Sequence, residues 1–218
     1  MRHSENCARL SSYVVICLML SCTFVSYATA QDKVVVVPLM SDEATAPAPV
    51  EKTGQTISYA VGDDGGREIG VVWPNPRFSD HGNGTVTDKL TGLIWLKAGA
   101  CARFYFLDIG AHNNRPWSSA IAACNQLVSG YCGLGDGSNA GDWRLPNRKE
   151  LDSLIDLGQA GLSPSSPLFA STVGDYYWSS STYAILQANA WRVSFGGGMV
   201  YPDNKSTNQY VRCVKGGN

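Results

Sequence analysis

The chain has 218 residues, 44% of them hydrophobic, with 17 basic and 18 acidic side chains and a formal net charge of −1. That balance lacks the basic surplus of a nucleic-acid binder, so no nucleic-acid partner is expected, although a local basic patch remains open. The seven cysteines are many for a chain of this size, which raises the question of compartment.

Residues 1–30 read as a secretory signal. Arg2 and Arg9 flank its start, Tyr13 to Val25 is mostly apolar, and Ala28-Thr29-Ala30 is a small-x-small cleavage site before Gln31. The apolar run is too short and too rich in Cys and Ser for a membrane span, so none is expected after the signal is removed. Export to the periplasm, the cell surface or the medium follows. Cys7, Cys17 and Cys22 leave with the signal, and Cys101, Cys124, Cys132 and Cys213 remain. An even count in an exported chain predicts two disulfides, with three pairings open. Taking away two Arg and one Glu leaves 15 basic and 17 acidic residues, a net charge of −2.

Residues 31–56 read as a linker. Val34 to Val37 is β-prone, but Pro38, Pro47 and Pro49 follow among Ala, Ser, Thr and Glu, a composition that buries little. Residues 57–84 form an N-terminal extension. Its Gly62-Asp63-Asp64-Gly65-Gly66 run reads as a turn; the spacing does not fit an EF-hand calcium loop. Val71-Val72-Trp73 is a candidate strand, ended by Pro74 and Pro76.

The main domain is placed at residues 85–215. Gly82-Asn83-Gly84 is a turn signal, Thr85 to Asp88 a short strand, Thr91-Gly92 a second turn and Leu93 to Leu96 a second strand. Trp117 to Val128 reads as a helix with Ser118 as its cap and Ile121, Cys124, Leu127 and Val128 on one face. Gly130 to Gly141 is a Gly-rich loop without the strand, helix and Lys-Ser/Thr ending of a phosphate cradle. Asp142 to Asp156 organises the chain. Trp143 is expected buried, Pro146 breaks the backbone, and Asn147 with Glu150 forms a capping box that starts a helix carrying Leu151, Leu154 and Ile155 on one side. Strands follow at Tyr176 to Ser180, Ala190 to Phe195, Met199 to Tyr201 and Tyr210 to Val214, with Gly196 to Gly198 as a hairpin turn. Helices first and antiparallel strands after them predict an α+β fold.

No catalytic constellation stands out. His81 and His112 lie far from Cys or Glu at metal spacing, no Gly-x-Ser-x-Gly elbow occurs, and Ser179, Ser180 and Ser181 have no evident base. The expectation is a non-enzyme with no cofactor and no metal. Binding is the better hypothesis. Tyr183, Gln187, Asn189, Arg192, Tyr201, Asn204, Lys205 and Asn208 mix rigid aromatic area with adaptable hydrogen-bonding groups, which suits a recognition surface. Arg192 and Lys205, with Arg212, are candidates to meet anionic groups. Trp143, Trp178 and Trp191 are expected in the core. Pro202-Asp203-Asn204 is read as a turn. The expected partner is a glycan or cell-surface polymer, or alternatively an envelope protein.

Four motifs occur in order: Gly84-Thr85-Val86-Thr87-Asp88 with Thr91-Gly92-Leu93 and Trp95; Asp142-Trp143-Arg144-Leu145-Pro146-Asn147 with Glu150-Leu151; Tyr177-Trp178-Ser179-Ser180-Ser181-Thr182-Tyr183; and Tyr210-Val211-Arg212-Cys213-Val214. Together, over roughly residues 78–215, they resemble the Lcl C-terminal-domain family, named for a collagen-like adhesin of Legionella. The resemblance implies a C-type-lectin-like fold with two helices packed on a twisted antiparallel sheet and stabilised by disulfides. It implies Cys124 paired with Cys213 and Cys101 with Cys132. It also implies an exported adhesion module, the adhesin itself binding sulfated glycans. This chain lacks collagen repeats, which leaves its oligomeric state open. Nothing in it supports the oxidase chemistry of the related formylglycine-generating group.

Overall fold

The structure, a computed structural model, describes residues 13–18, 21–26, 50–99, 101, 113–161, 163–164, 166–169 and 171–217. The expected cleavage site at 28–30, most of the expected linker and His112 lie outside these residues. The chain divides into two compact units, Met1–Pro47 and Ala48–Asn218. In the first, β1 (Tyr13–Leu18) and β2 (Ser21–Ser26) pair as an antiparallel hairpin, in keeping with β-branched Val14, Val15, Ile16, Thr23 and Val25. Among the described residues no helix is long and apolar enough to cross a membrane.

The second unit is mixed α and β. It runs α1 (Asp64–Arg67), β3 (Phe78–Asp80), β4 (Thr85–Asp88), β5 (Ile94–Leu96), β6 (Asn114–Arg115), α2 (Trp117–Asn125), α3 (Arg148–Asp152), β7 (Tyr176–Thr182), β8 (Asn189–Ser194), β9 (Val200–Asn204), β10 (Gln209–Tyr210) and β11 (Val214–Lys215). These strands form two sheets, not one: β6-β10-β7-β8-β9 and β11-β5-β4-β3. The expectation of a wholly antiparallel sheet also needs correcting, because β10 runs parallel to β7 through Tyr210 and Tyr177. The single closing strand expected at Tyr210 to Val214 is two strands in two sheets. Val211, Arg212 and Cys213 between them are fully buried as the chain passes from one sheet to the other.

The core has two centres. One holds Trp143, Trp178, Leu127 and Leu145 with α2; the other holds Trp95, Tyr177, Phe195, Leu151 and Leu154. Tyr177 and Trp178 are neighbours on β7 and point to opposite centres, so the first half of β7 is buried on both faces. Each large apolar side chain so buried contributes about 1.5–3 kcal/mol. Cys124–Cys213 and Cys101–Cys132 are the two bridges, the same pairs that the resemblance implied. The first ties α2 to the buried crossing.

The start of α3 follows the local rules. The Asn147 side chain accepts from the Glu150 amide at 2.9 Å, and the Glu150 carboxylate accepts from the Asn147 amide at 2.8 Å. The start of α2 departs from them. Pro116, not Ser118, is the cap residue, and no side chain caps the helix. Instead the Trp117 amide donates to the Lys205 carbonyl at 3.0 Å, so a distant loop satisfies a group that Ser118 was expected to help satisfy. Residues 50–56, expected in the linker, belong to the second unit: the Trp73 indole donates to the Lys52 carbonyl at 3.0 Å, and the Leu157 amide to the Thr53 carbonyl at 2.9 Å. Val71 makes only an isolated parallel bridge to Glu51 where a strand was a candidate. Gly84 allows a close loop approach. At φ +84° it faces the Gly133 carbonyl, which a Cβ would meet at 2.3 Å.

The open edge of the larger sheet is β9. The Ser194 amide donates to the Met199 carbonyl and the Lys205 amide to the Ala188 carbonyl, so by alternation Pro202, opposite Trp191, sits where an amide would point away from β8. Its missing N–H leaves a gap in the edge that discourages a further strand. Pro202-Asp203-Asn204 is therefore strand and not the expected turn.

Candidate functional site

The connection from β7 to β8 and the turn from β9 to β10 lie side by side at one end of the larger sheet. The first closes on itself: the Tyr183 amide donates to the Asn189 carbonyl and the Asn189 amide to the Leu186 carbonyl, at 2.9 and 2.8 Å. The second is an Asx turn in which the Asn204 side chain accepts from the Ser206 amide and hydroxyl at 2.9 and 2.8 Å. The Lys205 amide joins the two by donating to the Ala188 carbonyl at 2.9 Å. This arrangement brings together Tyr183, Gln187, Asn189, Asn204, Lys205 and Asn208. Gln187 and Asn208 are exposed, and Asn189 is opposite Asn204 in the ladder.

Arg192 and Tyr201 stand apart from that group. They pair across β8 and β9, and Arg192, three residues along from Asn189, projects from the other face of the sheet. The Arg192 guanidinium lies 3.8 Å over the Tyr176 ring and pairs with the Asp203 carboxylate at 3.2 Å. Asp203 also accepts from Thr207 and Gln209, each at 3.0 Å, so Arg192 shares that carboxylate with two other donors, while its buried Nε has no partner among the described residues. Arg212 is corrected outright as a surface anion contact. It is 0% exposed, donates to the Leu96 carbonyl at 3.0 Å and the Thr172 hydroxyl at 2.6 Å, and lies 4.9 Å over Phe169. Burial lowers its pKa, partly offset by Tyr177.

The same end of the sheet carries residues that the sequence did not single out. Lys205 Nζ donates to the Thr182 hydroxyl at 2.9 Å and lies 4.1 Å over the Trp117 ring. Tyr183 meets Trp191 edge-on at 5.1 Å, and the Arg148 guanidinium lies 4.9 Å over Trp191 from its other neighbour, α3. The contacts form two ring–cation groups, Lys205 over Trp117 beside Thr182 and Arg148 over Trp191 beside Tyr183; Thr182, opposite Ala190, and Trp191 lie on opposite faces of the sheet. Trp191 is half-buried here, whereas Trp143 and Trp178 are fully in the core as expected. Among the described residues neither Arg148 nor Lys205 is bonded to a carboxylate. Arg148 sits 35 positions before Tyr183 in sequence, and only its place next to the Asn147 cap hinted at availability.

Elsewhere the polar groups are committed to structure. Asp63 caps α1 and accepts from the Tyr59, Ala60 and Gly66 amides and the Ser58 hydroxyl. The Tyr59 and Ala60 amides, with the others, hold its pKa down to about 2, which gives the Gly62–Gly66 run its role as a turn and cap. The His81 ring bonds Thr87 at 2.7 Å, and the Ser179 hydroxyl donates to the Trp191 carbonyl at 2.7 Å. Among the described residues, no three His, Cys, Asp or Glu side chains group as a metal site. A cleft of about 190 Å³ opens at the far end of β8, lined among others by Asp156, Ser163 and Gly197. No candidate residue borders it.

Fold and site together define a disulfide-stapled α+β module. The family model described as Lcl C-terminal domain matches residues 84–215, more than half of the chain. The protein belongs to the Lcl C-terminal domain family, which points to an adhesin-like module. Comparison with curated proteins finds no match.

Proposed function

We propose that this is an exported adhesion module, without catalysis, that grips a glycan or cell-surface polymer at the end of the larger sheet formed by Tyr183–Ala188 and Asn204–Asn208. The observation that carries this reading is the pair of ring–cation groups on either side of that end, Trp117 with Lys205 and Tyr183 with Trp191 and Arg148. Rings offer flat area for sugar faces, the two cations offer donors not bonded to a carboxylate among the described residues, and Gln187, Asn189 and Asn208 add adaptable hydrogen bonds. A C-type-lectin-like arrangement, in which such loops carry recognition, fits the two helices and the α2-to-end disulfide. The test is a glycan array, followed by retention on heparin or fucoidan columns. Binding should weaken with salt and with Lys205→Gln and Arg148→Gln; no retention at low salt on any polyanion and no array signal would refute it.

A second reading is assembly with an envelope protein. It is favoured by the apolar side chains that the extension leaves exposed, among them Ile57, Tyr59, Val61, Ile69 and Val72. Recovery of one stable protein partner in a pull-down, lost when Val61 and Ile69 become Ser, would support it over the glycan reading.

A further inference from the structure

The tip of the β7–β8 connection presents a different chemistry from the polar turn beside it. Ala184-Ile185-Leu186-Gln187-Ala188 has no charge, and Ile185 and Leu186 are 84% and 53% exposed. A single exposed aliphatic residue is ordinary, but two side by side at the tip of a closed loop form an apolar patch. Below the tip, Tyr183, Trp191 and Trp117 form a half-buried belt of rings, and Lys205 and Arg148 stand over that belt. Lys149 is exposed beside Arg148. From Tyr176 to Pro202 the sequence has no acidic residue. The acids that border the region are largely occupied: Asp203 pairs with Arg192, and Glu150 pairs with Arg144 at 2.7 Å. Asp152, which feels the Arg148 charge, is the remaining one.

An apolar tip, a ring of amphipathic aromatics and a collar of cations is the order of chemistries met on crossing from a hydrocarbon layer through its interface to anionic headgroups. We infer that the Ala184–Ala188 loop enters the interface of a lipid surface that carries anionic headgroups. Ile185 and Leu186 reach the acyl boundary, Tyr183 lies at headgroup level, and Lys205, Arg148 and Lys149 face the headgroup charge. This contact shares Tyr183, Lys205 and Arg148 with the proposed polymer site but adds Ile185, Leu186 and Lys149, and it does not depend on that reading.

The test is co-flotation of the protein, as the cell exports it, with vesicles of neutral phospholipid alone or mixed with an anionic phospholipid. The wild-type protein should float with the mixed vesicles. Ile185→Ser with Leu186→Ser should weaken flotation by roughly tenfold or more, with unchanged melting temperature because both side chains are exposed. Lys149→Gln with Arg148→Gln should remove the preference for anionic over neutral vesicles, on the order of tenfold. Retention of the Ser double variant on a polyanion column should be unchanged, which separates this contact from the polymer site. Failure of the wild-type protein to float with anionic vesicles would overturn the inference. So would equal flotation of the Ser double variant.

Discussion

Arg77 and Arg212 in the interior, and Arg148 and Lys205 at the rim, place the same kind of charge in opposite settings. Arg77 is 8% exposed and grips Asp88 with two bonds of 2.9 and 2.7 Å. Arg212 has no carboxylate among the described residues and is held by neutral oxygens and aromatic rings. The rim cations lie over rings with their donors largely unspent. The interior charges therefore serve the fold, while these two rim charges have donors to spare, as the proposed binding site requires. Net charge alone hides this difference.

The largest test of the interior is the removal of Cys124–Cys213, whose cysteines are 89 positions apart. Replacing both with Ser should cost roughly 5 kcal/mol by chain entropy, against roughly 4 for Cys101–Cys132 with its separation of 31. Urea unfolding checks both. Under mild reduction, mass mapping should find Cys101 and Cys132 free first, because they are half-exposed while the other pair is fully buried.

Next come the interior cations. Arg77→Met strands the Asp88 carboxylate, which is 0% exposed, and should cost about 3–5 kcal/mol. Arg212→Met strands only neutral oxygens and should cost about 1–2 kcal/mol. Equal costs in thermal or urea unfolding would break the distinction between a charge-paired and a ring-held arginine.

A smaller effect is expected with pH. Burial raises the Glu150 pKa, but the Arg144 and Asn147 hydrogen bonds and the Arg144 charge outweigh it, and the net pKa is below 4.5. A carboxylate with a lowered folded pKa stabilises above its unfolded value and loses that contribution as pH falls through the folded one. Stability should therefore decline on acidification below 4.5, and Glu150→Gln should flatten that part of the profile. Glu51 has the opposite sign. Burial raises its pKa, so its protonated form favours the fold, and Glu51→Gln should stabilise the protein as pH rises past the ordinary glutamate value. The smallest effects on stability are at the rim, where Lys205→Gln and Arg148→Gln should stay within about 0.5 kcal/mol.

Much of the fold was legible because it rests on local chemistry. The Asn147/Glu150 box, the turns at Gly82–Gly84 and Thr91-Gly92, and the β7–β8–β9 run are all set by residues within a few positions of one another. What was not legible depends on distant partners. The Trp117 amide is satisfied by Lys205, Arg212 is buried by rings from three other segments, and β10 lies parallel to β7. The site shows the same division. Tyr183, Asn189, Asn204 and Lys205 are close in sequence and are brought together. Arg192 is their sequence neighbour but pairs with Asp203, and Arg148 reaches Trp191 only through α3 packing on β8.

The most direct measurement is the salt-gradient elution of four proteins from a heparin or fucoidan column: wild type, Arg148→Gln with Lys205→Gln, Arg192→Gln, and Gln187→Ala. The account predicts that the double variant elutes at clearly lower salt, that Gln187→Ala shifts slightly, and that Arg192→Gln elutes with the wild type because Asp203 already holds that charge. Unchanged elution of the double variant, or a larger shift for Arg192→Gln than for the rim pair, would contradict it.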